Sequence, residues 1–505
     1  MRRFTCFSTL LSLAFPVAAA AQTGAVQHRA VEGITAGDVR TRIGIIADDS
    51  MLGRNTPSRG LELTAQYVAD QFKAFGLRPG GENGTWFQRY PLLTKRLDLA
   101  ASSVRVVAGA ERATAVLSTD AVLIYGLAPE GPATGPARII GGVPDPSSIA
   151  TAEVPGQIVL FVIDFTKPRP PSVNQTLTVI EKANPRAIVL VSNRPSPMFE
   201  QRVRNQGGVR VDRAGAQADA VPVVEVRAAT IAGALAAAGV DLDAIRASAG
   251  MVDRVIPGAT VTLDLKEQVL DRASAPNTIG ILEGTDPVLR REYVVFSAHM
   301  DHIGITPGQP DSINNGADDD GSGTAGVMEL AEAFSRARPK RSMIFLTVSG
   351  EEKGLWGSEY FTSHPTVPLT QIVADINIDM IGRNWPDTIV AIGKEHSDLG
   401  ATLNRVNAAH RELGMTAIDD RWPEENFYFR SDHYNFARRG VPILFFFNGV
   451  HADYHQVTDS PEKINAEKES RILKLLFFLG QDIANAPDRP KWNPASYKLI
   501  VDGAK

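Results

Sequence analysis

Five segments of the 505-residue chain gather side chains that can hold metal or move protons. Ser297-Ala298-His299-Met300-Asp301-His302 is followed by Gly316-Ala317-Asp318-Asp319-Asp320-Gly321-Ser322-Gly323 and Ser349-Gly350-Glu351-Glu352-Lys353-Gly354. Asn377-Ile378-Asp379-Met380 and His451-Ala452-Asp453-Tyr454-His455 complete the set. Singly, each has a plain structural reading: Asp320 caps a helix, adjacent glutamates sit on a solvated surface, a lone histidine is structural. Together they would bring several carboxylates to one crevice, where they repel strongly unless cations neutralise them. If Asp319, Glu352 and Asp379 bind metal with neutral His299 and His455, three negative charges and one hydroxide balance two divalent ions. Histidine and carboxylate ligation without thiolate suits zinc, with cobalt or manganese as substitutes.

A sheet must position these groups. Tyr293–Ala298, Met343–Val348, Ile372–Ile378 and Val441–Phe447 are near-continuous apolar runs of the kind buried on both faces of a largely parallel sheet. Between the first two, residues 321–336 carry Val327, Met328, Ala331 and Phe334 at helical spacing. The alternation predicts an α/β fold with a mixed, largely parallel sheet flanked by helices. Ligands bind beyond the carboxyl ends of such strands, where the acidic and imidazole groups stand. Upstream, Leu61, Ala65, Val68, Phe72 and Phe75 predict a helix over residues 59–75, stopped by Gly76. From about residue 110 to 258 the texture changes to short β-branched runs (Gln157–Ile163, Ala187–Val191, Val221–Val226) broken by Pro and Gly, with a helix near Ala228–Ala238. This stretch reads as a separate small β-rich domain without a catalytic cluster.

The order His-x-Asp, Asp-Asp-x-Ser-Gly, Glu-Glu, Asp-Met and a final His, spread over residues 277–465, resembles the M28 family of co-catalytic dizinc exopeptidases, which covers leucyl-type aminopeptidases and glutamate carboxypeptidase relatives. The resemblance implies a phosphorylase/hydrolase-like zinc exopeptidase fold and two Zn2+ per chain. On that pattern His299 and Asp379 bind one zinc, Glu352 and His455 the other, and Asp319 bridges them. Asp301 orients His299, and Glu351 is the general base for water activated between the metals. Asp49-Ser50-Met51-Leu52-Gly53-Arg54 resembles the opening of the peptidase domain in members with an inserted protease-associated (PA) domain, and Val154-Pro155-Gly156-Gln157-Ile158-Val159 resembles a PA core strand. The expected organisation is a signal peptide over 1–21, peptidase domain over 22–109 and 259–505, and a PA-like insert over 110–258.

A second cluster, Asn426-Phe427-Tyr428-Phe429-Arg430-Ser431-Asp432-His433, precedes the last strand. Tyr428 matches a position where some relatives place a tyrosine that helps hold the tetrahedral intermediate; the alternative is a packed core aromatic. Arg430 can pair with a substrate carboxylate or with a nearby acid. His302, His433 and His451 stay outside the ligand set. An aminopeptidase is the leading reading. A carboxypeptidase or dipeptidase of the same family is the second, and a one-zinc glutaminyl-cyclase-like transferase or a non-catalytic binding protein the third.

Composition narrows the partners. With 52 basic against 57 acidic residues and no long Lys/Arg run, the chain has no footprint for nucleic acid or an anionic membrane; peptide substrates are what the family resemblance implies. Arg2-Arg3, the apolar stretch Phe4 to Val17 and Ala19-Ala20-Ala21 read as a cleaved export signal, so a periplasmic or secreted location is expected. Cys6, the single cysteine, lies in that segment, which removes disulfides, cysteine nucleophiles and thiolate metal sites from the mature chain. No later run reaches the ~18 apolar residues of a spanning helix, so no membrane association is expected once the signal is removed. No motif speaks to oligomeric state.

Overall fold

The computed structural model describes residues 28–126, 131–215, 221–308 and 310–503. The signal expected over 1–21 lies outside them. The chain divides into two compact units, Met1–Tyr90 with Ser274–Lys505, and Pro91–Ala273. Among the described residues no helix is long and apolar enough to cross a membrane.

The first unit is built on a mixed sheet. Tyr293–His299 pairs in parallel with Ser342–Val348 on one side and Ile372–Ile378 on the other, and Ile372–Ile378 pairs in parallel with Ile443–Phe446. The residues of these strands are almost all buried, as their uninterrupted apolar character demands. Glu267–Leu282, through its residues after Thr278, runs antiparallel beside Ser342–Val348, and Thr388–Ile392 runs antiparallel beside Ile443–Phe446. Four neighbouring parallel strands therefore end along one edge of the sheet, at His299, Val348, Ile378 and Phe446.

The helices Ala36–Ile46, Gly323–Ala337 and Ala466–Asn485 bury their apolar stripes in a core with Phe296 and Phe345, where Phe334 and Phe477 have ring centroids 4.8 Å apart. Arg59–Ala74 starts at Ser58, whose side chain accepts from Leu61 N, and stops before Gly76 at φ +79°. The helix expected from Gly321 begins instead at Gly323. Asp320 Oδ1 accepts the Gly323 N–H at 2.9 Å, and residues Ala317–Ser322 form an irregular turn that leads into the helix.

The second unit has its own sheet, in the order Glu111–Val116, Ser103–Ala108, Met251–Asp264, Ala133–Gly142, Ile158–Ile163, Ala187–Ser192, Val223–Arg227, Ala121–Tyr125. Its centre is parallel and its flanks antiparallel. Besides Ala228–Ala237 it carries the helices Pro171–Lys182 and Ser196–Asn205. The first opens with proline at its first turn, so the Pro-rich stretch read as a break is a helix start. The two ends of the unit meet: Asp98 N–H donates to the Lys266 carbonyl at 2.8 Å, and Gln268 Nε2 donates to Asp98 Oδ2 at 2.9 Å.

Candidate metal centre

The strand ends deliver their side chains to one place. His299 Nε2 lies 3.4 Å from Asp319 Oδ1 and 3.6 Å from Asp379 Oδ1. His455 Nε2 lies 3.2 Å from both Asp319 Oδ2 and Glu352 Oε2. One carboxylate, Asp319, thus turns its two oxygens toward two different histidines. Asp319 Oδ2, Asp379 Oδ1 and His455 Nε2 are buried and have no hydrogen-bond partner, a costly arrangement unless a cation fills the space they face.

Adjacent Asp320 is built differently, although it too can gather with His299 and Asp379. Its Oδ1 accepts from Gly323 N at 2.9 Å and Met380 N at 3.2 Å, and its Oδ2 from His299 N at 3.2 Å. Three backbone segments are tied by one buried carboxylate, which leaves Asp319 as the donor that faces outward.

The supporting contacts fix the donors. His299 Nδ1 is 3.2 Å from the Asp301 carbonyl oxygen and 3.8 Å from its carboxylate. Asp301 therefore holds His299 through its main chain. Its carboxylate serves the neighbouring loop, accepting from Thr56 Oγ1 at 2.9 Å and Glu351 N at 3.3 Å. Asp379 Oδ2 accepts from Ser431 Oγ at 3.1 Å. His302, set aside in the sequence, is fully buried with Nδ1 at 2.8 Å from Glu352 Oε1 and belongs to the cluster. His451 pairs with Asp318 at 3.2 Å; His433 Nε2 lies 2.8 Å from the Tyr428 carbonyl oxygen, and burial presses its pKa down to about 3.

The electrostatics ask for positive charge. Burial alone would depress His299, yet Asp379 and Glu351 hold it well above an ordinary histidine. The Asp319 and Glu352 carboxylates, each 3.2 Å from its Nε2, raise His455 to about 10. Burial pushes Glu352 up, but the neighbouring His302 and His455 imidazoles outweigh it and leave Glu352 below the usual range. Glu351 is pushed well up, by burial first and then by Asp432 and Asp379. In this way Glu351 and Glu352, adjacent in sequence, are pushed in opposite directions by their surroundings. Divalent metal would supply the charge that these carboxylates draw from the imidazoles, and the donor types are those zinc takes.

Beside the donors opens a cleft of about 420 Å³, lined by His299, Asp319, Glu351, Asp379 and His455 and walled by Met380, Phe427, Phe445, Phe447 and Val450. Arg430 reaches its rim, where its guanidinium lies 4.8 Å over the Phe427 ring and 3.4 Å from Glu425 Oε2. Tyr428 is not among the lining residues: it is buried with its ring edge-on to His396, 4.5 Å between centroids. The tyrosine that lines the cleft is Tyr454, stacked 3.9 Å on the His455 ring. The sequence reading passed over it, although its signal was plain: a phenol immediately before a ligand-type histidine.

Fold and donor set define the class: an α/β protein whose sheet edge is equipped to hold divalent metal beside an open cleft. Comparison with known proteins points the same way. Residues 277–479 match the family model described as Peptidase family M28, the family that the motifs resemble. A probable zinc metalloprotease of Pyricularia oryzae is 26% identical over 47% of this chain and 55% of its own length. The aminopeptidase YwaD of Bacillus subtilis is 26% identical over 45% of this chain and 49% of its own length. The chain thus spans about half the length of the curated relatives it matches. Among solved structures, an aminopeptidase from Aneurinibacillus sp. strain AM-1 superposes with a TM-score of 0.50 at 17% identity, covering 93% of this chain and 98% of that one, which establishes the shared fold.

Proposed function

We propose that the chain is an exported dizinc aminopeptidase that releases N-terminal residues from peptides, its 110–258 region a PA-like insert outside the chemistry. The observation that carries the reading is Asp319, with one oxygen toward His299 and the other toward His455. His299 and Asp379 would hold one zinc, Glu352 and His455 the second, with Asp319 shared. Zinc held by these residues would supply an acidified water and polarisation of the scissile carbonyl. Glu351, at the cleft wall, would be the ionised carboxylate that takes the water's proton and delivers it to the leaving amine. Tyr454, which lines the cleft and stacks on His455, would offer its hydroxyl to the developing oxyanion. The apolar wall from Met380 to Val450 receives the substrate side chain. With the three ligand carboxylates offset by metal, Glu351 leaves a negative charge that favours a substrate's free ammonium group.

Arg430 at the rim favours a second reading, a carboxypeptidase or dipeptidase in which the guanidinium holds a C-terminal carboxylate. One preparation decides between them: metal content of the purified protein by mass spectrometry, with hydrolysis of free-amine and N-acetylated dipeptides. Two zinc per chain with cleavage of the free-amine substrate alone is expected. Cleavage of the acetylated substrate reverses the polarity, and absence of metal and turnover refutes both.

A further inference from the structure

The turn that carries Asp319 leaves helical geometry at Asp319 and Asp320, and two buried charges from distant parts of the chain engage its main chain. Arg54, fully buried, donates from Nη1 to the Asn315 carbonyl at 2.5 Å and from Nη2 to Gly316 O at 2.8 Å and Asp319 O at 3.5 Å. The same guanidinium reaches Met300 O and Ile46 O, both at 2.9 Å, which anchors it to the neighbouring strand end and helix. Asp459, also fully buried, accepts from Asp318 N at 3.0 Å and Asp319 N at 3.1 Å, while its own carbonyl accepts from Ala317 N at 3.2 Å. Carbonyls of the turn go to the cation and its N–H groups to the anion, so the peptide planes around Asp319 are fixed from opposite directions. Neither residue lines the cleft.

We propose that Arg54 and Asp459 form a clamp of opposite charges that presets the Asp319 carboxylate between His299 and His455 before any metal binds, making both of them positioning residues of the metal centre. The proposal rests on the dizinc reading above. Charge-assisted bonds to backbone are the stronger kind, and a second layer of this sort typically governs 10- to 100-fold in metal affinity.

The test titrates Co2+ into metal-free wild type, Arg54→Lys, Asp459→Asn and, as a control, Arg341→Lys, following visible absorption and thermal unfolding. Arg341 is equally buried and donates to the Ile483 carbonyl, but it stands at the amino end of the strand whose carboxyl end leads to Glu351. Arg54→Lys and Asp459→Asn are expected to weaken Co2+ binding about 10- to 100-fold and to alter the absorption band, whereas Arg341→Lys loses thermal stability alone. Wild-type affinity and band shape in folded Arg54→Lys or Asp459→Asn overturns the clamp. Failure of wild type to bind Co2+ overturns the dizinc reading instead. Hydrogen exchange on metal-free wild type needs no variant: the Asp318 and Asp319 amides are expected to be protected without metal, and exchange at open-peptide rates refutes the proposal.

Discussion

Asp319 and Asp320 are neighbours whose removal should fail in opposite ways. Asp320→Ala strips the acceptor from three buried N–H groups, those of His299, Gly323 and Met380, at 2.9 to 3.2 Å. Each buried donor left unsatisfied costs about 1–3 kcal/mol, so the loss is roughly 3–9 kcal/mol. The Asp320 carboxyl is itself costly to bury, with a pKa pushed well up by desolvation, which draws the expectation to the lower half of that range. Against the ~5–15 kcal/mol that holds a protein folded, this is a large fraction. Asp319→Ala leaves no N–H orphaned and thins a crowded acidic cluster, so metal-free stability should hardly change while metal is lost. All five tryptophans (Trp86, Trp356, Trp385, Trp422 and Trp492) lie in the unit that carries the site, so their fluorescence during urea unfolding of chelator-treated protein reads that unit alone. Zinc content on the same samples completes the comparison. A wild-type urea midpoint for Asp320→Ala, or an equal loss from Asp319→Ala, would refute the division of labour.

Glu351→Gln should keep zinc and fold but lose turnover on the order of 10²- to 10⁴-fold, as removal of a general base does; near wild-type rates at full zinc content argue against that role. Tyr454→Phe should lower kcat by about 10²-fold with KM little changed, whereas Tyr428→Phe, whose ring packs away from the cleft, should leave kcat intact; the reverse pattern would restore Tyr428 to the chemistry. Asp375 is buried with Oδ1 accepting from Ser297 Oγ at 2.7 Å, and burial pushes its pKa up to about 8. The folded state thus holds a proton that the unfolded chain releases. Its stabilising contribution is full below about pH 4 and is lost as pH rises to about 8, at up to ~1.4 kcal/mol per pH unit. Asp375→Asn should flatten this part of the urea midpoint against pH, and an unchanged slope would contradict it.

The strands were legible because a run such as Met343–Val348 is apolar but for Thr347, and a strand covered on both faces tolerates that. The donors were legible because parallel strands end on one edge, so residues far apart in sequence had to converge. What could not be read was side-chain direction off loops. Tyr428 sits three residues before Ser431, whose hydroxyl reaches Asp379, yet its own ring turns into the core beside His396. Asp301 showed its residue type but not that its main-chain oxygen would serve His299. Arg54 and Asp459 act on peptide groups rather than on side chains, and backbone partners leave no residue-type signature. The helix Pro171–Lys182 was hidden because the same Pro-rich stretch can end one element or open the next.

The hydrogen bonds that join Asp98 to Lys266 and Gln268 bear on the order of folding. The unit holding the metal centre is written in two pieces of chain, and assembling Arg54 against the loops near Met300 and Asn315 means closing whatever lies between. As unstructured polymer, that intervening stretch, Pro91–Ala273, would impose a loop-closure cost of roughly 4–5 kcal/mol. Once Pro91–Ala273 has folded, its ends are already side by side and most of this entropy has been surrendered. The intervening unit acts as a splint: a substitution that melts it should slow the docking of the N-terminal helices and lower the stability of the metal-bearing unit, although no residue there has changed.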